Sequence, residues 1–142
     1  MHTKILGRTG LETPIVGIGT IFIGSPPPSG NIAELEMDED LGAETIIAAI
    51  EAGSTWMDTA PLYGGTASEE IVGRALKNRP DLAAQCTIVT KAGNQKEGID
   101  HAFESILRSV EASLVRLGQD SFDIVYIHDA LNVPLDYVMG PN

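Results

Sequence analysis

Four polar residues lie at or just after the ends of three segments that the sequence predicts to be strands. Asp58 closes the strand in STWMDTA and Tyr63 follows in the next loop, Lys91 closes CTIVTK, and His128 closes SFDIVYIHD. A carboxylate, a phenol, an ammonium group and an imidazole are groups that proteins use for proton transfer. Because the carboxyl ends of parallel strands meet at one edge of a sheet, we expect these four side chains to form one site.

Each of these residues also has a structural explanation when it is taken singly. An aspartate before a threonine is a common cap, and a lysine after an apolar strand is usually a solvated strand end. A lone histidine is more often structural than catalytic, and a tyrosine in a loop often packs its ring against apolar neighbours. The occurrence of all four at the ends of consecutive strands favours a functional site.

The composition fits one globular domain and argues against two classes of partner. The chain has 142 residues, 43% of them hydrophobic and 20% charged, which is enough apolar material for a core. Its formal net charge of −11 repels phosphate backbones and anionic lipid, so we expect no nucleic-acid or membrane partner. The sequence shows neither a secretory leader nor a membrane span, which predicts a cytoplasmic protein.

The sequence contains no clear motif for a dinucleotide-binding sheet, a phosphate-binding loop, a metal site or a disulfide. The third glycine of GIGTIFIG comes too late for the G-x-G-x-x-G pattern of dinucleotide-binding sheets, and no P-loop sequence occurs. His2, His101 and His128 have no zinc-like spacing with one another or with Cys86, so we predict no metal site. Cys86 is the only cysteine, which excludes an intrachain disulfide and indicates a packing residue on a strand.

The order of the predicted elements indicates an α/β fold. KILGRTGLETPIVGIGT predicts a hairpin and then a first strand from Ile15 to Thr20, and MDEDLGAETIIAAIEAG predicts a helix. Between them, the Pro-rich loop from Gly24 to Glu34 is of a length that often serves function. The strands in STWMDTA, CTIVTK and SFDIVYIHD then alternate with two more helices. This alternation predicts a parallel sheet with helical crossovers, either an open doubly wound sheet or part of a β/α barrel.

The helices carry more detailed predictions about caps and buried faces. Asp38 opens the first helix and Gly53 follows its end, and Ser68 is predicted to be the N-cap of the second helix. In the third helix Asp100 is the predicted cap and Gly118 the predicted end. The predicted apolar faces are Leu41, Ile46, Ala49 and Ile50 in the first helix, Ile71, Val72, Ala75 and Leu76 in the second, and Phe103, Ile106, Leu107, Val110, Leu114 and Leu117 in the third, where Glu104 faces Arg108.

The motifs DTAPLYG, IVTKAG and IVYIHD resemble the catalytic tetrad of the aldo-keto reductases, with Asp58, Tyr63, Lys91 and His128 as its members. The hairpin ILGRTGLETPIVGIGT resembles the N-terminus of the same family, so the resemblance covers nearly the whole chain. Within the family, DTAPLYG and YIHD are similar to the aldose and pyridoxal dehydrogenase branch. The resemblance implies a (β/α)8 barrel of the TIM type, in which residues 1–142 form the N-terminal hairpin and about four β/α units, with no second domain.

The resemblance implies hydride transfer between a nicotinamide cofactor, NADP or alternatively NAD, and an aldehyde, ketone, alcohol or aldose. Reduction of a carbonyl also requires a proton donor at the oxygen, which would be Tyr63. Lys91 beside the phenol would favour release of its proton, and Asp58 would neutralise and hold the ammonium group. His128 would donate a hydrogen bond to the substrate oxygen and orient it.

Three positions match the family's cofactor site. The backbone of Gly19 and Thr20, at the tip of the first strand, matches positions that lie near the nicotinamide, and Asp58 also borders the cofactor. The resemblance implies no further cofactor contact in this chain. Substrate selection is not encoded in these motifs.

The length of the chain departs from the family pattern. A complete β/α barrel has eight strands and about 250 residues, so we expect half a barrel, as in a truncated chain. In the family, the other half holds the cofactor phosphates, so we expect the 142 residues alone to bind NADPH weakly and to be inactive. Two alternatives stay open, namely a half-barrel that pairs with itself through open sheet edges, and a non-enzymatic reductase-like binding or regulatory subunit.

Overall fold

The chain folds into a parallel sheet with helices between its strands, preceded by a small hairpin. The computed structural model describes residues 1–24, 38–95, 98–99, 103–132 and 134–139. Its strands are β1 (Thr3–Ile5), β2 (Glu12–Pro14), β3 (Ile18–Gly19), β4 (Trp56–Asp58), β5 (Thr87–Ala92), β6 (Asn94–Gln95), β7 (Gly98–Ile99) and β8 (Ile124–Ile127). Its helices are α1 (Glu39–Glu51), α2 (Ala67–Asn78), α3 (Pro80–Ala83), α4 (Phe103–Leu117) and α5 (Leu135–Met139).

The central sheet confirms the predicted alternation of strands and helices. Its strand order is β3-β4-β5-β8, and every pair in it is parallel. The helices α1, α2 and α4 form the three crossovers, and β1 with β2 forms the predicted N-terminal hairpin. Neighbouring strands follow one another in the chain without the reversal of order that a doubly wound sheet has, so the sheet fits part of a β/α barrel.

The hydrophobic core lies between the sheet and the helices. Met57 of β4 and Ile88 of β5 pack with Ile46 of α1, Ile71 of α2 and Leu117 of α4. Burial of each large aliphatic side chain stabilises the fold by about 1.5–3 kcal/mol, so this cluster dominates the energetics of the described part. The core therefore fixes the layer that carries the strand ends.

Helix α1 begins and ends where the sequence predicted. Asp38 is its N-cap, and its carboxylate accepts a hydrogen bond of 2.9 Å from the backbone N–H of Leu41. Gly53 follows the helix with a φ of 93°, a left-handed conformation that glycine adopts without steric cost. The buried placement of Leu41 was wrong, because this side chain is 55% exposed and the neighbouring Gly42 and Ala43 face the core instead.

Small residues face the core because helices α1 and α2 pack closely together. A Cβ atom on Gly42 would come within 2.9 Å of Cγ2 of Ile71, so a larger residue at this position of α1 would force the two helices apart. Gly73 likewise allows close packing of α2 and α4, because a Cβ atom at this position would lie 2.2 Å from the backbone oxygen of Arg116. The helix layer is therefore tightly packed behind the sheet.

The prediction that Ser68 caps helix α2 was wrong. The helix begins two residues earlier, at Ala67, and the N-cap position is taken by Thr66, whose side chain makes no capping hydrogen bond. Ser68 is completely buried inside the first turn, and its hydroxyl contacts the hydroxyls of Thr20 and Thr59 on the sheet. Sequence pattern could not distinguish these roles, because serine suits both a cap and a buried hydrogen-bonded site.

The predicted apolar stripe of helix α4 was correct only in part. The buried residues of this helix are Ser105, Ser109, Ser113 and Leu117, which recur every four residues. Of the predicted stripe, Leu117 is buried, Ile106, Val110 and Leu114 are partly buried, and Phe103 and Leu107 are exposed. Helix α4 approaches α2 closely at its C-terminal end, where a Cβ atom on Gly73 would lie 3.0 Å from Cα of Leu117.

The remaining predictions about loops and helix ends have mixed outcomes. Gly118, with a φ of 63°, ends helix α4 as predicted, whereas the ion pairs of the described residues do not include one between Glu104 and Arg108. Asp100 and residues 25–34 of the Pro-rich loop lie outside the described residues. The short helix α3 and the small hairpin of β6 and β7 were not predicted. In the part of the chain that the structure describes, no helix combines the length and the apolarity needed to cross a bilayer.

Candidate active site

Lys91 and Asp58 form the centre of a polar cluster at the carboxyl end of the sheet. Asp58 is the last residue of β4, and Lys91 lies in β5, the neighbouring strand. The ammonium group of Lys91 donates a hydrogen bond of 2.5 Å to Oδ1 of Asp58 and one of 2.9 Å to the backbone oxygen of Thr59. The two side chains are 13% and 32% exposed, so the pair is largely shielded but open to solvent on one side.

Tyr63 returns to this pair through a tight turn after β4. The backbone N–H of Tyr63 donates to the oxygen of Ala60 at 3.1 Å, which begins the turn. The next three residues, Gly64, Gly65 and Thr66, all have positive φ angles, of 60°, 61° and 90°. Glycine adopts such angles readily, whereas a β-branched threonine does so only with strain. The turn places the Tyr63 ring beside Lys91, with 4.7 Å between the Nζ atom and the ring centroid.

His128 completes the cluster from the end of β8. It follows directly after this strand, and its backbone N–H donates a hydrogen bond of 2.7 Å to the oxygen of Ala92 in β5. The imidazole lies edge-on to the Tyr63 ring, with 6.0 Å between ring centroids and an interplanar angle of 88°. The backbone hydrogen bond to β5 thus fixes the histidine next to the phenol.

The structure brings all four sequence-predicted residues together. The ammonium group of Lys91 contacts Asp58 and lies over the Tyr63 ring, and the imidazole of His128 makes a T-shaped contact with the same ring. A cation over an aromatic face is attracted by the ring's negative face, which adds to the ion pair in holding Lys91. The cluster contains a proton donor, a fixed positive charge and a second hydrogen-bonding group; the catalytic roles of the four residues stay predictions.

The two candidate cofactor positions at the tip of β3 differ in exposure. Gly19 is exposed, pairs with Asp58 in the parallel ladder, and has open space around the position of a Cβ atom. Thr20 is fully buried, and its hydroxyl donates a hydrogen bond of 3.0 Å to the backbone oxygen of Asp58. The side chain of Thr20 therefore serves the protein interior, and only its backbone is left for a ligand.

Cys86 is unsuited to nucleophilic chemistry. Desolvation by burial raises the pKa of its thiol to about 11, so very little thiolate forms at neutral pH. The thiol also donates to the backbone oxygen of Leu82 at 3.4 Å. Within the described ranges, no three His, Cys, Asp or Glu side chains are grouped in a way that could hold a metal ion.

Sequence reasoning missed a second polar cluster directly behind this site. Glu69 of α2 is completely buried, forms an ion pair of 2.6 Å with Nε of Arg116, and accepts a hydrogen bond of 2.5 Å from the hydroxyl of Thr90. Helical spacing alone could have found it, because Glu69 lies three and seven residues before the buried Val72 and Leu76. A charged residue on an apolar helix face indicates a buried partner.

Comparison with known proteins connects this geometry to a family. A family model described as "Aldo/keto reductase family" matches residues 16–133. The chain is 36% identical to L-galactose dehydrogenase of Arabidopsis thaliana over 140 residues, which is 99% of this chain and 42% of that protein. It is 35% identical to the NADH-specific methylglyoxal reductase of Escherichia coli strain K12 over 135 residues, which is 87% of this chain and 40% of that protein.

Solved structures show the same relationship. An aldo-keto reductase from Bacillus halodurans in its holo form superimposes with a TM-score of 0.77 and 29% identity, covering 97% of this chain and 44% of that one. An aldo/keto reductase from Klebsiella pneumoniae in complex with NADP and acetate gives a TM-score of 0.63 and 25% identity, covering 83% and 36%. The described sheet thus corresponds to part of a TIM barrel, and the chain spans less than half the length of these relatives. Because the family model matches most of the chain and the fold agrees with solved members, the chain belongs to the aldo/keto reductase family.

Proposed function

We propose that this chain carries the catalytic tetrad of a nicotinamide-dependent oxidoreductase that interconverts a carbonyl compound and its alcohol. The observation that carries the proposal is the double contact of Lys91, which is hydrogen-bonded to Asp58 and lies over the ring of Tyr63. A phenol beside a fixed positive charge suits the protonation of an oxygen on which negative charge develops. Membership of the family supports the same reading.

In this mechanism Tyr63 gives its hydroxyl proton to the carbonyl oxygen during reduction and takes it back during oxidation. The positive charge of Lys91 favours the phenolate that remains after the transfer. Asp58 and the backbone oxygen of Thr59 hold the ammonium group, so its position does not depend on the substrate. A charge that is already in place needs no reorganisation when the reaction begins, which lowers the barrier.

His128 orients the substrate oxygen toward the phenol. Its imidazole lies against the edge of the Tyr63 ring, so both side chains face one small volume at the carboxyl end of the sheet. A second hydrogen-bond donor to the same oxygen would restrict its position, and orientation of a reacting atom contributes strongly to rate. His128 therefore acts in binding and orientation, while Tyr63 handles the proton.

The residues at the tip of β3 suit a nicotinamide cofactor. Gly19 is exposed, and open space surrounds the position of its missing Cβ atom, so a flat ring can approach the backbone there. Asp58 pairs with Gly19 in the ladder and borders the same space. When bound, the nicotinamide supplies the hydride that the chain's own side chains cannot provide. We propose NADP, with NAD as the alternative; one relative is named NADH-specific and one solved structure contains NADP.

Small carbonyl compounds or sugars are the proposed substrates. The relatives named for L-galactose and methylglyoxal act on such molecules, and both are similar to this chain over most of its length. The net charge of −11 disfavours phosphate-rich macromolecules as partners. We further propose that the protein acts in the cytoplasm.

Turnover is proposed to require further β/α units, supplied by the same chain or by another. The matched relatives carry more than half of their length outside the region that this chain covers. Tyr126 and Ile127 of the outer strand β8 are 44% and 38% exposed, although strands of parallel sheets are normally covered on both faces. A second half-barrel, or a second copy of this chain, would cover them. We therefore expect the 142 residues alone to bind NADPH weakly.

The test is steady-state turnover of the protein expressed from its own gene. The assay pairs each reduced and oxidised cofactor with a panel that includes methylglyoxal and L-galactose. We expect Tyr63→Phe to lower kcat by about 10²–10⁴-fold, the usual contribution of a positioned acid or base. Thr45→Val, which removes an exposed hydroxyl that donates to the backbone oxygen of Leu41 within α1, is the control and should retain activity. Unchanged turnover in Tyr63→Phe would refute the assignment, and absence of turnover with every pair would favour a non-enzymatic subunit.

A further inference from the structure

A layer of hydroxyl groups lies directly behind the candidate active site. Thr20 follows β3, Thr59 follows Asp58, and Thr90 precedes Lys91, and all three threonines are completely buried. Successive side chains of a strand point to opposite faces. The threonines therefore face the helices, whereas their neighbours Asp58 and Lys91 face the site.

Ser68 of helix α2 joins two of these strand ends. Its hydroxyl oxygen lies 2.7 Å from that of Thr20 and 3.0 Å from that of Thr59. The hydroxyl of Thr20 in turn donates to the backbone oxygen of Asp58 at 3.0 Å. The Ser68 hydroxyl also lies 3.0 Å from the backbone oxygen of Thr20, to which it donates. Each hydroxyl carries one proton, so one consistent arrangement has Thr59 donating to Ser68, Ser68 sharing its proton between the backbone and hydroxyl oxygens of Thr20, and Thr20 donating to Asp58. This chain of hydrogen bonds connects the helix to the residue that holds Lys91.

Glu69, the next residue of α2, binds the third strand end. Its carboxylate accepts a hydrogen bond of 2.5 Å from the hydroxyl of Thr90 and forms an ion pair of 2.6 Å with Arg116. Arg116 also donates to the hydroxyl of Ser113 at 3.1 Å, so both charges are held by further hydrogen bonds. A buried ion pair contributes little net stability compared with apolar packing, and its better attested use is to select one arrangement among several.

We propose that Ser68 and Glu69 are positioning residues for the tetrad, an inference that rests on the proposed function of that site. Thr59 is the shared element, because its hydroxyl contacts Ser68 while its backbone oxygen accepts a hydrogen bond from Lys91. The first turn of α2 thereby sets the relative positions of β3, β4 and β5 at the end where the chemistry occurs. A displacement of a reacting group by about 1 Å can cost about 10²-fold in rate, so small shifts matter.

The test compares Ser68→Ala and Thr90→Val with Ser109→Ala in the protein expressed from its own gene. Ser109 is buried in α4, and its hydroxyl has no hydrogen-bond partner among the described residues, so its removal controls for loss of a buried serine hydroxyl away from the strand ends. We expect Ser68→Ala to lower kcat about tenfold with little change in KM, and Ser109→Ala to leave kcat within about twofold. Ser68→Thr, which keeps a hydroxyl, should recover part of the loss.

A second readout does not depend on turnover. The ammonium group of Lys91, held by two hydrogen bonds, is followed by nitrogen-15 NMR and assigned with Lys91→Arg. Its resonance should move or broaden in Ser68→Ala or, if that variant does not fold, in Thr90→Val, and should stay in place in Ser109→Ala. An unchanged resonance in folded Ser68→Ala and Thr90→Val would overturn the inference. A moved resonance in a protein without turnover would support the positioning role while refuting the proposed function.

Discussion

Two ion pairs of similar length lie on opposite faces of the same sheet and serve different ends. Lys91 and Asp58 are 2.5 Å apart on the face of the site, and Arg116 and Glu69 are 2.6 Å apart on the face of the helices. The carboxylates differ most, because Asp58 is 32% exposed and Glu69 is completely buried, while the cations Lys91 and Arg116 are 13% and 20% exposed. We propose that the Lys91–Asp58 pair, the open pair, presents a charge to a reacting molecule, and that the Arg116–Glu69 pair, the closed pair, holds the sheet that carries it.

Their surroundings explain the difference. Lys91 has a phenol ring beside it, which belongs to the candidate chemistry, and its remaining side faces the mouth of the sheet. Glu69 is surrounded by donors from the protein itself, the hydroxyl of Thr90 and the guanidinium of Arg116. A carboxylate whose hydrogen-bond partners all come from the protein has no place left for a ligand. We therefore expect a buried carboxylate with such partners to be structural and a partly exposed ion pair to be functional.

The largest expected effect is on turnover, from removal of the open pair's positive charge. Lys91→Met keeps the length of the side chain but removes the ammonium group. We expect kcat to fall by about 10²–10³-fold, as when one preorganised electrostatic group is lost from an active site. Steady-state kinetics measures the loss, and a thermal melt checks that the variant is folded. Equal kcat in the variant and the wild type would show that the open pair is structural after all.

The closed pair should behave in the opposite way, with a large effect on stability. Arg116→Met leaves the carboxylate of Glu69 buried without its counter-ion, which we expect to lower the free energy of unfolding by about 3 kcal/mol. Denaturant unfolding measures this change. The double variant Glu69→Gln with Arg116→Met removes both charges and should recover most of the loss. If Arg116→Met alone unfolds at the wild-type denaturant concentration, the pair does not stabilise the helix layer.

The smallest expected effect comes from the turn that connects the two regions. Thr66 lies between Tyr63 and Ser68 and has a φ of 90°, which strains a β-branched residue. Thr66→Gly relieves the strain but loses the hydrogen bond of 2.8 Å to Glu70 and frees the unfolded chain, so we expect a net gain of about 0.5 kcal/mol.

A matched substitution in an ordinary helix tests this expectation. Thr45 lies within α1, where the helical backbone does not strain a threonine. Thr45→Gly should therefore lower stability. Denaturant unfolding measures the change in the free energy of unfolding in both variants, which is expected to be a gain in Thr66→Gly and a loss in Thr45→Gly. A loss of stability in Thr66→Gly as large as that in Thr45→Gly would show that the turn stores no strain.

Prediction from sequence succeeded where one local pattern has one structural meaning. The acidic residues Asp38, Glu39 and Asp40 predicted a helix N-terminus, and helix α1 begins there. Prediction was wrong where one residue type suits two environments, as for Ser68, and only partly right for the apolar stripe of α4, whose buried face consists mainly of serines. Gly73 of α2 lets the backbone of α4 come close at Arg116, and this contact with another element cannot be read from the stripe of α4 alone.

The sequence by itself determined the alternation of strands and helices and the identity of the four polar residues at strand ends, because both depend on short-range periodicity and on residue chemistry. The tertiary structure decided that Lys91 contacts both Asp58 and Tyr63, and that Ser68 and Glu69 stand behind them. These contacts join residues up to 48 positions apart, as between Thr20 and Ser68. They depend on how strands pair and helices pack, which no local pattern specifies.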